Sequence, residues 1–430
     1  MSDNHPDPAH PVRVTRALVS LRGVMLLGLS AIAVHVVDDT LAQPQPGTSA
    51  GDHLVSALVP LGLLALAGAG VWRGGPGRRS GSALAAGFFG IVAGVEGVYY
   101  TMHGGPSGDD FTGLLSLAAG LTLIGAALAT LWKERRRDGG RARRYLRRSL
   151  ILAFSGLTLF YVGLPVTVAY VATHVGRLPA SDVDLGAGAR DIVLTRSDGV
   201  ELAGSYIPSR NGAAVIAFPG REGPQAHARM LAKHGYGVLL FDQTGDGESQ
   251  GDPNGLGWDG EQDVMAAIAF LKRQPDVERG RIGGLGLSVG GELLLQAAAH
   301  SSDLQAVVSE GAGSRSFGEE LERGGGGGWL TAYPISAMIT AGMSVFSNET
   351  PPPHLKDLVA EIAPRSMFLI YTTHGVDTED LNPVYFAAAH QPKAIWVIPE
   401  ASHTGGIDAR PREYERRVVG FFDRALLRLS

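Results

Sequence analysis

The amino-acid sequence predicts an α-helical membrane module of about five transmembrane helices followed by an α/β domain with a mostly parallel, doubly wound sheet. Three observations carry this. Five long apolar stretches fall in the first 175 of 430 residues. Beyond a Gly/Ala/Asp-rich linker over 176–190, short β-branched runs alternate with helical patterns, the mark of βαβ units. Charge divides at the same place: residues 1–180 hold 16 Lys/Arg against 10 Asp/Glu, and the rest hold 21 against 32.

The apolar stretches run over roughly 18–37, 54–72, 81–103, 111–132 and 149–173. Each approaches the roughly 20 residues needed to cross a hydrocarbon core of about 30 Å. Leu54–Trp72 and Phe111–Trp132 contain no charge. Ser149–His174 is also uncharged but carries Pro165, which a packed membrane helix tolerates. The first stretch contains Arg22 and the third Glu96.

Orientation follows from the basic residues. Arg13, Arg16 and Arg22 open the first span, Arg73, Arg78 and Arg79 lie between the second and third, and nine Lys/Arg lie between Lys133 and Arg148. The intervening loops 38–53 and 104–110 have none. Because positive residues stay cytoplasmic, the amino terminus is expected inside, and everything after Arg177 outside the cell membrane. A signal segment cut near Thr40-Leu41-Ala42 would leave four spans and the same placement.

In the second part, strands are expected at Asp191–Thr195, Glu201–Ile207, Ala213–Phe218, Tyr236–Asp242, Arg281–Leu287, Leu304–Ser309, Met367–Tyr371 and Ala394–Ile398. Helices are expected at Pro224–His234, Gly260–Arg273, Val289–His300 and Arg410–Leu427. The domain spans 191–430, and its rhythm breaks at 311–362, around five consecutive glycines, Gly324 to Gly328. That excursion sits where a lid would be inserted; the alternative is a long loop packed on the surface.

Composition narrows the chemistry. With no cysteine, disulfides, thiolate metal sites and a Cys nucleophile are excluded. The basic residues form short runs between apolar stretches without interleaved aromatics, so nucleic acid is not an expected partner.

Two segments match G-x-S-x-G. Gly47-Thr-Ser49-Ala-Gly51 lies in a polar loop between spans, with no strand before it, and reads as chance. Gly286-Leu-Ser288-Val-Gly290 follows an expected strand and opens an expected helix, the strand–turn–helix setting that projects a serine hydroxyl outward. With it go Ala217-Phe-Pro-Gly220-Arg-Glu-Gly223 after the third strand, Phe241-Asp-Gln-Thr-Gly-Asp-Gly-Glu-Ser249 after the fourth, and Pro399-Glu-Ala-Ser-His403 after the last.

On these motifs residues 190–428 resemble the α/β-hydrolase superfamily, its serine esterase and dienelactone-hydrolase-like branch. Thr244 departs from the resemblance, standing where Arg is usual in the family's D-x-R-G-x-G-x-S turn. The resemblance implies the order nucleophile, acid, histidine. Ser288 then takes the nucleophile's place and His403 the base's. Glu379, in Glu379-Asp-Leu-Asn-Pro383, falls in the acid position; Asp377 is the runner-up and Asp380 a distant third. The implied oxyanion hole combines the Val289 N–H with one from the Gly220–Arg221 turn. Arg221 has two further readings, a clamp for an anionic substrate group and a solvated turn residue.

The expected activity is cleavage of a carboxylic ester, with thioester or amide as further options, on a small-molecule acyl substrate and without a cofactor. Acyl transfer by the same triad is an alternative, and so is a transporter or sensor whose hydrolase-like domain only binds ligand. Finally, His35, Glu96 and His103 lie toward the expected outer ends of the first and third spans. One expectation is that they converge on a metal ion or proton. The other is that the histidines are solvated and Glu96 merely hydrogen-bonds to a neighbouring helix.

Overall fold

The computed structural model describes residues 20–134, 140–177, 188–220, 223–315, 317–320, 332–375 and 377–428. The chain divides into two compact units. The first comprises Met1–Pro44, Ser49–Val171 and Val345–Asn348, the second Gln45–Thr48, Ala172–Ser344 and Glu349–Ser430.

Among the described residues five helices are long and apolar enough to cross a membrane: α1 (Leu21–Val37, continued to Ala42 by a π-turn), α2 (Leu54–Arg73), α3 (Pro76–Gly104), α4 (Asp110–Lys133) and α5 (Arg141–His174). Pro165 does not break α5. The helix widens into a π-turn at Leu159–Gly163 just before it, which relieves the clash a proline ring makes with the preceding turn. Within the first unit α3 and α4 meet through small residues. A Cβ on Gly87 would stand 2.8 Å from the Gly120 oxygen, and one on Gly94 2.7 Å from the Gly113 oxygen. Small residues at these positions let the two backbones approach closely. Many large apolar side chains point outward, among them Leu66, Leu152 and Phe154, each 70% or more exposed.

The second unit holds one eight-stranded sheet: β1 (Arg190–Thr195), β2 (Glu201–Ile207), β3 (Ala214–Phe218), β4 (Gly237–Phe241), β5 (Ile282–Leu287), β6 (Leu304–Glu310), β7 (Ser366–Tyr371) and β8 (Lys393–Val397). The order is β1-β2-β4-β3-β5-β6-β7-β8, with β1 and β2 antiparallel at one edge and parallel pairing from β4 to β8. Helices cover both faces. Alternate residues of β3 show this: Ala214, Ile216 and Phe218 enter the core beside α7 (Glu261–Leu271) and α8 (Val289–His300). Val215 and Ala217 enter the core beside α6 (Gln225–Lys233) and α11 (Pro411–Phe422). A strand buried on both faces must be apolar at every position, as β3, β4 and β5 are. Within the expected lid, α9 (Ala332–Ser347) is followed by a short turn of helix at Leu355–Leu358, and α10 (Asn382–Ala388) comes after β7. The glycine run lies outside the described residues.

Candidate active site

The carboxyl ends of β5, β7 and β8 converge. Ser288, between β5 and α8, has φ 53° and ψ −125°, a conformation disfavoured for any residue with a Cβ. The turn is held by crowding that only glycine permits. A Cβ on Gly286 would stand 2.4 Å from the Gly290 oxygen, and one on Gly290 would stand 2.3 Å from the Pro219 oxygen. Strain of this kind persists where surrounding structure over-determines it, and here it turns the hydroxyl out of the sheet.

His403 lies in the loop after β8. Its Nε2 is 2.9 Å from Ser288 Oγ, and its Nδ1 is 2.5 Å from Glu379 Oε1. Glu379 is 1% exposed, and its other oxygen accepts the Thr372 N–H at 3.0 Å. The carboxylate is thus buried, fixed by the end of β7 and aimed at the imidazole. Of the three acids weighed from the sequence, Glu379 is the one on His403. The side chain of Asp377 lies outside the described residues, and Asp380 is exposed.

The Val289 N–H belongs to the first turn of α8, where a helix offers it no carbonyl partner. Gly220 packs on the elbow: a Cβ there would stand 2.7 Å from the Leu287 oxygen and 2.9 Å from Ser288 Cβ. The Gln243 side-chain amide donates to the Pro219 oxygen at 3.1 Å, bracing the same turn. Arg221 lies outside the described residues.

The other serine motif is a helix-to-helix turn. Ser49 N–H and Oγ both bond to Asp52 Oδ2 at 2.8 Å, and among the described residues no strand precedes it.

The expected convergence of His35, Glu96 and His103 needs correction. His103 is exposed and bonds through Nδ1 to the Tyr99 oxygen of its own helix, at 2.7 Å. His35 and Glu96 are buried, but each has a protein partner. His35 contacts Thr112 Oγ1 at 3.2 Å and the Ala93 oxygen at 3.4 Å, while Glu96 accepts the Tyr170 hydroxyl of α5 at 3.1 Å. One helical turn separates Ala93 from Glu96, but about two separate Glu96 from His103, which carries the latter to the helix end.

Residues 217–341 match the family model of the X-Pro dipeptidyl-peptidase (S15) family. An uncharacterized protein of Pseudomonas aeruginosa is 25% identical over 300 residues, covering 55% of this chain and 81% of its own. A polyketide transferase of a Penicillium species is 33% identical over 129 residues, 28% of this chain and 43% of its own. An esterase structure from Pyrococcus furiosus is 23% identical and aligns with 58% of this chain and 97% of its own, at a TM-score of 0.46. With the family model lying across the elbow of a parallel sheet, the second unit is an α/β-hydrolase enzyme domain.

Proposed function

We propose that the chain is a membrane-anchored serine hydrolase that cleaves a carboxylic ester, with Ser288, His403 and Glu379 as its catalytic triad. The observation that carries this is the unbroken relay from Ser288 Oγ through both nitrogens of His403 to a buried carboxylate. A serine hydroxyl is a weak nucleophile at neutral pH and needs a base, and the base needs an orienting partner. As Ser288 Oγ bonds to the acyl carbon, its proton passes to His403 Nε2. Glu379 accepts the Nδ1–H throughout, holding the tautomer and stabilising the imidazolium. The carbonyl oxygen becomes an anion beside the Val289 N–H and the turn at Gly220, where each donor contributes about 3–4 kcal/mol. The C–O bond to the leaving alcohol breaks as His403 returns the proton. Water, activated by the same histidine, then releases the acid and frees Ser288.

Support for the membrane comes from the first unit. Five apolar helices in tandem with exposed leucines and phenylalanines present more oily surface than a water-soluble protein tolerates. The bilayer is then a partner, and the arginine pattern favours an extracytoplasmic hydrolase domain.

Two observations favour other acyl chemistry by the same triad. The S15 peptidase model favours an amide substrate, and the polyketide transferase relative favours transfer to an acceptor other than water. A fluorophosphonate probe tests the shared mechanism: the purified chain should label, and Ser288→Ala should abolish labelling without loss of folding. Unchanged labelling in that variant refutes the triad. A panel of esters and amides then separates the substrate classes.

A further inference from the structure

The triad's geometry depends on two loops that belong to different strands, and something must set the distance between them. Glu310, the last residue of β6, touches both. Its backbone oxygen accepts the Ser288 N–H at 2.8 Å, which ties it to the elbow. Its side-chain Oε1 accepts the Gly406 N–H at 2.7 Å, which ties it to the loop that carries His403. The carboxylate is 3% exposed, and Oε2 is held by the Tyr414 hydroxyl of α11 at 2.5 Å. His227 approaches the same oxygen at 3.7 Å, with neither ring nitrogen hydrogen-bonded. Burial, and then the charge of Glu310, push the Tyr414 phenol well above its usual range, so it stays a donor at any working pH. Glu310 and Glu379 also lie together against Ser402, Thr404 and Gly406 of the loop that carries His403.

We propose that Glu310 is a positioning residue that sets the height of the His403 loop above the elbow, and so the reach of His403 Nε2 to Ser288 Oγ. This rests on the serine-hydrolase reading. Glu310 touches no reacting atom in this arrangement; it acts through the Gly406 N–H and the Ser288 N–H. Side-chain length therefore matters and negative charge does not. Glutamine keeps the acceptor for Gly406 in place, while its amide faces a tyrosine oxygen able to accept. Aspartate keeps the charge but withdraws the carboxylate by one carbon–carbon bond, about 1.5 Å.

The test uses the full chain in detergent and a fluorophosphonate probe, with rates taken per folded molecule from the main gel-filtration peak. Glu310→Asp should lower the maximal labelling rate by roughly 10- to 100-fold, the effect of a misplacement of about 1 Å, with the probe's half-saturating concentration unchanged. Glu310→Gln should label close to wild type. Aspartate labelling at the wild-type rate, or glutamine losing as much as aspartate, overturns the role of Glu310. A wild-type chain that takes no probe overturns the hydrolase reading and this proposal with it.

Discussion

Glu379 shows how one side chain is selected from a cluster of acids. Asp377, Glu379 and Asp380 all follow β7, but Glu379 is buried against the Thr372 N–H and reaches the imidazole. We expect Glu379→Gln to lower kcat by about 10⁴-fold, the effect of losing a triad's orienting carboxylate, with Asp377→Asn changing it far less. Steady-state turnover of the two variants checks this. Glu292, on α8 one turn after Ser288, has a different role. Burial pushes its carboxyl up to about 7, against the opposing pull of Arg315 and the Gly313 N–H. A folded-state value above the ordinary 4.5 means that its contribution to stability is full below pH 4.5 and is lost as pH rises through about 7. Melting temperatures recorded from pH 4.5 to 8 should therefore fall more steeply for wild type than for Glu292→Gln. Equal slopes would show that Glu292 does not titrate in this window.

At the scale of elements, the β5–α8 elbow and the turn after β4 show two kinds of constraint. The elbow is steric. A methyl on Gly290 would press on the Pro219 carbonyl, the same turn that carries Gly220. Gly290→Ala should therefore lower stability by about 1–3 kcal/mol and slow probe labelling together, read by thermal melting and by labelling rate. The β4 turn is electrostatic, and here the resemblance to the family was incomplete, because Thr244 replaces the usual Arg. A guanidinium reaches the turn nonetheless, from Arg196 at the end of β1. It donates to Thr244 Oγ1 and to the fully buried Asp263, each at 2.9 Å, and pairs with Asp198 and Asp259. Thr244 in turn donates to Asp263 at 2.7 Å. Arg196→Ala would leave Asp263 buried without its cation, a loss of about 3–5 kcal/mol. A fall in melting temperature far larger than that of an exposed control such as Arg279→Ala is the expected outcome.

For the whole molecule, the sequence divides basic from acidic and apolar from alternating near the same point, and the structure divides into two units near it. The proposal of five spans makes a sharp topological prediction. A reporter active only outside the cytoplasm should be active when fused after Arg177 and inactive when fused in the basic segment between Lys133 and Arg148. The opposite pattern would reverse the orientation while leaving the triad untouched, because nothing in the hydrolase chemistry depends on which side it works.

Periodicity and local chemistry were enough to read the strands, the elbow and the apolar helices from the sequence. These features arise within a few residues: a strand buried on both faces must be apolar throughout, and a turn as tight as that around Ser288 must be flanked by glycine. Pairings between distant segments were not legible from periodicity, and that of Glu379 with His403 was anticipated only through the family resemblance. The approach of Glu379 to His403, the reach of Arg196 from β1 to the β4 turn and the span of Glu310 from the elbow to Gly406 are set by strand order and register. Likewise, the spacing that put Glu96 and His103 on one helix said nothing of Tyr170, which comes to Glu96 from 74 residues away. Sequence determines which side chains are chemically able to act; packing decides which of them meet, because a hydrogen bond needs its atoms within about 3 Å and no local pattern encodes a distance across the fold.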